Sequence, residues 1–224
     1  MPLVIAMDGP SGSGKSSASK GVARALGLRY LDTGAMYRAM TWWMLEHGVP
    51  VEDGVAVAAR ALDPEIACGT DPDAPTITVD GTDVSGPIRE RTVTNAVSAV
   101  SAVPAVRARL VELQREIIGA GGIVVEGRDI GTVVVPDAAV KVYLTASEEV
   151  RAARRAKDLA ADPGASVTVT RAEQARRDRL DSTRKASPLT KAAGAHEVDS
   201  SELSLAEVIE AVVRLAEEHE RALY

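Results

Sequence analysis

Three features of the chain predict an α/β fold. A short apolar run breaks into a glycine-rich loop and a helix over residues 3–17, a later run at 122–126 is apolar without alternation and is followed by a further strand-like run at 139–144, and helical spacing fills the stretches between. Strands buried on both faces read as continuous apolar runs, and they alternate with helices when the sheet is parallel. Five candidate strands follow from this pattern, and one antiparallel hairpin interrupts it.

The first strand is LVIAM at 3–7, closed by Asp8. Gly9, Gly12, Gly14, Lys15 and Ser16 then fill the P-loop pattern G-x-x-x-x-G-K-[ST], in which backbone N–H groups and the positive end of the next helix meet a polyphosphate. There Lys15 would neutralise the β/γ-phosphates and the Ser16 hydroxyl would bind Mg²⁺. Helical spacing continues through Ala18, Val22, Ala23 and Leu26 to a stop at Gly27. Residues 28–31 make a second parallel strand and Asp32-Thr33-Gly34 a turn. A helix over 35–47 carries Met36, Met40, Trp43 and Met44 on one side, and Gly48 with Pro50 ends it. Tyr37 and Arg38 fall in its first turn; a core role and a binding role suit Tyr37 equally, whereas Arg38 is hard to bury without a partner.

From about Val51 the pattern changes. Residues 63–75 are rich in Pro, Gly and Asp, and ITVDGTDV then alternates with a period of two around Asp80-Gly81, a hairpin signal. Residues 63–103 are therefore expected to be an insertion, a small lobe on a core made of 1–62 and 104–224. Pro104 opens a helix through Val106, Leu110, Leu113 and Ile117 that stops at Gly119. The strand at 122–126 ends in Glu126-Gly127-Arg128-Asp129, two acids and an arginine at the carboxyl edge where open α/β sheets bind ligands. After the strand at 139–144, Thr145-Ala-Ser-Glu148 predicts a capping box for an Arg-rich helix, and 160–169 predicts a surface loop. Thr170-x-x-Glu173 predicts the cap of another helix, and 197–199 a fifth strand. Ser204-x-x-Glu207 opens a last helix whose Leu205, Val208, Ile209, Val212 and Leu215 read as a core stripe.

A net charge of −6 argues against a nucleic-acid coat or an anionic-membrane binder. Eight arginines nevertheless crowd residues 151–184, which suits either a focused phosphate site or a helix face solvated among interleaved acids. Cys68 is the only cysteine, which leaves no intramolecular disulfide and fits a reduced, cytoplasmic setting; no signal segment or membrane-span-length apolar run is present. The only asparagine, Asn95, precedes Ala96, so the N-K-x-D motif of a guanine-nucleotide switch is missing. A small kinase and a partner-stimulated ATPase remain. The kinase needs a second anion site, an arginine-rich lid and an acceptor lobe, and all three have candidates. His47, His196 and His219 are scattered and supply no obvious general base. That suits a phosphate acceptor, because a monoester is largely dianionic at pH 7 and needs no deprotonation.

Taken together, IAMDGPSGSGKSS, LDTGAMYR, DVSGPIR, VPAVR, EGRDIGTVV, RAARR, RRDRLDSTR and the following SPL resemble the bacterial cytidylate kinases, a branch of the P-loop nucleoside monophosphate kinases. The resemblance covers nearly the whole chain. It implies a P-loop kinase with a five-stranded parallel sheet flanked by helices, an inserted monophosphate-binding lobe with antiparallel strands, and a short Arg-rich lid at about 151–168. The implied activity is transfer of the γ-phosphoryl group of ATP to CMP or dCMP with Mg²⁺; another acceptor such as UMP is the alternative. Gly9, Pro10, Ser11, Gly12, Ser13, Gly14, Lys15, Ser16 and Ser17 would cradle ATP. Thr33, where the family often has Ser, would meet the cytosine ring; Tyr37, Arg38 and Arg128 would hold the acceptor phosphate. Arg107 and Arg184 would help read the base, Ser98, Arg177 and Asp181 would meet the sugar, and Asp129 would sit beside the acceptor. Glu126 would join Ser16 at Mg²⁺, and Arg151, Arg154 and Arg155 would close over the transferring phosphate. The expected protein is a cytoplasmic monomer acting on small molecules, without nucleic acid or membrane partners.

Overall fold

The computed structural model describes residues 2–158 and 167–223. In chain order the elements are β1 (Val4–Asp8), α1 (Lys15–Leu26), β2 (Arg29–Asp32), α2 (Thr33–Glu46), α3 (Gly54–Ala59), β3 (Ile66–Cys68), β4 (Ile77–Val79), β5 (Thr82–Asp83), α4 (Arg91–Ser101) and α5 (Pro104–Ile118). There follow β6 (Ile123–Gly127), β7 (Val140–Thr145), α6 (Glu148–Asp158), α7 (Val167–Thr183), β8 (His196–Asp199) and α8 (Leu205–Arg221). A 3-10 turn at Pro87–Arg89 precedes α4 and a π-helical turn at Ile130–Val134 follows β6.

Five strands form one parallel sheet in the order β2-β6-β1-β7-β8. Alternate residues feed opposite faces. Ala6, Leu31, Ile123 and Val125 pack with α2, α4 and α5, while Ile5, Met7, Tyr30, Val124, Val142 and Leu144 pack with α1 and α8. Burial on both faces is why β1 and β6 read as unbroken apolar runs, whereas β7 buries alternate residues. Arg29 ties the edge strand β2 to the end of α5, donating to the carbonyls of Ile117, Ile118 and Gly121 at 2.8, 2.8 and 2.9 Å and so satisfying acceptors that helix termination leaves unpaired. None of the described helices is long and apolar enough to cross a membrane.

The Asp80-Gly81 hairpin forms as β4 and β5, and β3 adds a third antiparallel strand that the sequence pattern left unassigned. Ile66, Ile77, Val79, Val84 and Ile88 join the same core cluster as Ala6 and Val125, so this segment shares the main core and has none of its own. Helix α4 was also unassigned, although Val93, Ala96, Val97 and Val100 stand at amphipathic spacing and are buried.

Several local expectations are corrected. Asp32-Thr33-Gly34 starts α2, because the Asp32 carboxylate accepts the Ala35 N–H at 2.9 Å as an N-cap. Thr145 does not cap α6: it belongs to β7, and the Ser147 hydroxyl accepts the Val150 N–H instead. Thr170 is not a cap either, since α7 begins at Val167 and buries Thr170 within it. The loop expected at 160–169 lies outside the described residues up to 166 and is helical beyond. The Ser204–Glu207 capping box forms as expected, but Leu205 is half exposed; the core stripe is Val208, Val212 and Ala216, with Ile209 and Leu215 packed against it.

Close approach of α1 and α8 depends on Gly21, where a Cβ would stand 2.2 Å from Ile209 Cδ1. Gly21→Ala should therefore destabilise the parent protein. In an Ile209→Ala background the same change should stabilise by about 1 kcal/mol, the helix-propensity gain of Ala over Gly. A double-mutant cycle of thermal melts reads the sign change.

Candidate active site

At the carboxyl edge of the sheet a single cleft of about 820 Å³ is lined by Ser11–Ser17 from the P-loop, by Thr33, Tyr37 and Arg38 from α2, and by Arg128 and Asp129 after β6. Ser98, Arg107, Arg177, Asp181 and Arg184 complete one wall, and Arg154, Ser200, Leu203 and Leu205 another. The P-loop lies tight against the sheet: a Cβ at Gly9 would stand 2.0 Å from the Leu144 carbonyl oxygen. Gly14, with φ 91°, opens α1 without a side-chain cap, so the first N–H groups of the helix face the cleft as an anion site. Lys15 Nζ donates to the Pro10 carbonyl at 2.8 Å, and burial followed by the Arg128 charge lowers the affinity of this amine for its proton. Ser16, exposed at the helix start, donates to Glu126 Oε2 at 3.0 Å. The Tyr30 hydroxyl donates to the other Glu126 oxygen, and burial with nearby Asp32 pushes the Glu126 carboxyl upward.

The arginine-bearing wall is a connected set. Arg128 donates to the Gly9 carbonyl at 2.7 Å and reaches Asp181 at 3.2 Å and Asp178 at 3.9 Å. Ser98 donates to Asp181 at 3.2 Å, and Arg184 stands 3.8 Å from the same carboxylate while donating to the Ser187 carbonyl. Arg177 is lowered to about 10 by burial and by Arg128, with Arg38 and Arg155 adding to the repulsion, so four guanidinium groups converge here. Buried nitrogens of Arg38, Arg177 and Arg184 have no hydrogen-bond partner, an unmet demand for acceptor oxygens.

Other expected residues serve differently. Arg107 forms a buried ion pair with Asp129, donates to the Ser101 carbonyl and lies 5.0 Å over the Tyr37 ring. Tyr37 is pushed up to about 12 by burial, its hydroxyl facing buried Gln114. Thr33 donates to the Glu126 carbonyl at 2.7 Å, leaving its oxygen free to accept. Of the three α6 arginines only Arg155 joins the cationic cluster. Arg151 does not line the cleft; it pairs with Asp178 and donates to the Ser11 carbonyl behind the P-loop, because the first turn of α6 abuts that loop. Arg154 lines the cleft but is tied to Ser13 and Ser200. Residue reasoning missed Asp178, Ser200, Leu203 and Leu205. For the last three the available signal was their place just past β8, at the carboxyl edge where such sheets bind ligands.

Behind the cleft, the Asp8 carboxylate accepts the N–H groups of Ile130 and Gly131, both at 2.8 Å, and thereby fixes the turn carrying Arg128 and Asp129.

A glycine loop and an arginine-lined anion pocket on the carboxyl edge of one parallel sheet define a P-loop kinase. The cytidylate kinase family profile matches residues 5–218, and the chain belongs to that family. It is 60% identical over 222 residues to a cytidylate kinase of Streptomyces avermitilis, with 98% of this chain and 95% of that one covered. A cytidylate kinase of Streptomyces coelicolor is 62% identical over 218 residues, with 96% and 93% covered. Among solved structures, an uncharacterized protein from Eubacterium ventriosum superposes with a TM-score of 0.54 at 9% identity over 97% of this chain and 99% of that one, a likeness of fold alone.

Burial raises the Asp8 carboxyl from 3.8 to about 6 against the pull of its two backbone N–H donors. The unfolded chain therefore loses this proton first, and stability should fall as pH rises from about 4 to 6, by about 3 kcal/mol for a shift of this size. Glu126 contributes a slope of the same sign, so the comparison is between proteins. Asp8→Asn should unfold with a shallower dependence on pH in this window, measured by denaturant titration at each pH.

Proposed function

We propose that this protein transfers the γ-phosphoryl group of ATP to CMP or dCMP, giving ADP and CDP or dCDP. The observation that carries the reading is that the P-loop and the converging arginines open on one cleft. A donor tail and an acceptor monoester both bound there lie close enough to react, and family membership favours the cytidine nucleotide as acceptor.

In this reading Lys15 and the N-terminal N–H groups of α1 bind the donor phosphates, while Arg38, Arg128, Arg155 and Arg177 hold the acceptor dianion and absorb the repulsion between the two. No histidine lines the cleft among the described residues, and Asp129 is engaged by Arg107. A dianionic acceptor oxygen requires no proton-removing group. Arg107, Asp129 and the Thr33 oxygen face the base; Ser98 and Asp181 face the sugar. Residues 63–103 would supply the inserted part of the acceptor lobe, and 151–168 the lid, of which 159–166 lie outside the described residues. The Ser16 hydroxyl beside a buried carboxylate of raised proton affinity fits a hard divalent cation, so Ser16 would bind Mg²⁺ and Glu126 would hold it directly or through water. An ion held there would supply neutralisation of charge on the donor phosphates. No three acidic, His or Cys side chains cluster as a metal site among the described residues, which leaves the nucleotide to provide further ligands. The reading extends to a cytoplasmic monomer without nucleic-acid partners, in keeping with the net charge of −6.

A coupled ADP assay with ATP against CMP, dCMP, UMP, AMP, GMP and no acceptor tests the assignment. ADP release should depend strictly on the acceptor and be fastest with CMP or dCMP; turnover without acceptor would select an ATPase. Lys15→Ala should lower kcat by about 10²–10³-fold, as loss of one preorganised charge-stabilising donor does, with no loss of melting temperature because a poorly solvated cation is removed.

A further inference from the structure

The turn after β8 carries a function that no motif announces. Ser200, 2% exposed, makes bonds in three directions. Its hydroxyl lies 3.0 Å from both the Ser13 carbonyl of the P-loop and the Thr145 carbonyl at the end of β7, and its backbone N–H donates to that same Thr145 carbonyl at 2.8 Å. The Arg154 guanidinium grips the residue at two points, Nη1 to the hydroxyl at 2.9 Å and Nη2 to the carbonyl at 2.7 Å, with a third bond from Nη1 to the Ser13 carbonyl at 3.2 Å. The neighbours stiffen this clamp. Asp199 accepts from both the N–H and the hydroxyl of Ser201, which orients the Ser201 oxygen to accept the Ser147 N–H ahead of α6.

Charge gives the arrangement its meaning. Arg151, one turn earlier on α6, is neutralised by Asp178, whereas Arg154 has no carboxylate partner among the described residues and all its hydrogen bonds go to uncharged oxygens. Its Nη1 would lie 3.6 Å from a Cβ at Gly14, where the positive end of α1 opens. A cation beside a helix N-terminus is repelled and does not settle there unaided. Two bonds to one buried residue hold it in place, its charge uncompensated and facing the cleft.

We propose that Ser200 is a positioning residue for the phosphate donor: it fixes Arg154 over the Gly14 end of the P-loop as a preformed ligand for a nucleoside triphosphate. The assignment rests on the kinase reading above for its choice of donor. Ser200→Ala removes the hydroxyl bond, one of the three that hold Arg154, together with one end of the Ser13 tie, and should raise KM for ATP by up to about tenfold, the scale of one hydrogen bond to a charged group. KM for CMP should stay within about twofold, because the acceptor arginines do not touch Ser200. Arg154→Met should raise KM for ATP at least as much, and the double variant should match Arg154→Met alone, the signature of two residues acting as one. Equal changes in KM for ATP and CMP, or losses that add in the double variant, overturn the proposal. Should Ser200→Ala fail to fold, Arg154→Met decides, since an unchanged KM for ATP there removes the ligand that Ser200 is argued to hold. Titration calorimetry with ATP reads the same weakening without turnover, so a failure of the kinase reading is separable from a failure of this one.

Discussion

The guanidinium of Arg128, held between Asp178, Asp181 and the Gly9 carbonyl, is the contact on which both halves of the cleft depend. Asp178 and Asp181 stand three residues apart on one face of α7, so a single helix braces the P-loop and the arginine-bearing wall together. Asp178 accepts the Ser11 N–H at 3.2 Å and pairs with Arg151; Asp181 takes Ser98 and stands near Arg184. Without them the arginines would push apart, since two unit charges 4 Å apart repel by about 4 kcal/mol at an effective dielectric of 20. Three carboxylates, counting Asp32 against Arg38 at 3.0 Å, only partly offset the five guanidinium groups of Arg38, Arg128, Arg151, Arg177 and Arg184. The remainder is positive potential directed into the cleft, which the dianionic acceptor of the proposed reaction would balance.

The same logic governs the strand ends. Because the central strands β1 and β6 are covered on both faces, polar groups at their carboxyl ends are buried beside the loops they hold. Asp8 there meets two backbone N–H groups, and Glu126 meets Tyr30 and Ser16. Burial drives both carboxyls toward their neutral forms, which makes each a receptive partner for added positive charge. The polar edge and the poorly solvated P-loop are thus two consequences of one topology.

Much of this was legible in the residues. The strand, P-loop and helix over 3–26, the Asp80-Gly81 hairpin, the fifth strand and the Ser204 capping box each rest on a local rule that tertiary packing leaves intact. The failures are places where packing chose between equivalent local signals. Thr145 and Ser147 can both cap a helix, and β7 extends through the first, leaving the second free. Thr170 looked like a start because its spacing to Glu173 fits a capping box, yet helical hydrogen bonding already runs from Val167. Arg151, Arg154 and Arg155 share one helix face by spacing, and periodicity cannot say how far each lies from the P-loop. The first pairs beneath it, the second leans on Ser200, and the third enters the cationic cluster. Ser200 was unreadable for a related reason: nothing in Asp199-Ser200-Ser201 declares that its hydroxyl will meet a carbonyl 187 residues earlier.

Sharing of one core by the inserted segment and the sheet bears on the chemistry. Ile66, Ile77, Val79 and Val97 pack into the cluster that includes Leu31 and Ile123, so the β3-β4-β5 sheet and α4 are anchored through α2 to the strands that carry the P-loop. A lobe with its own core would pivot freely and would locate a bound acceptor only loosely. The proposed reaction, which uses no proton-removing group, would rely on placement and charge, and a misplacement of 1 Å can cost about 10²-fold in rate. The continuous core and the arginine network therefore answer the same requirement, one fixing the frame and the other fixing the charges within it.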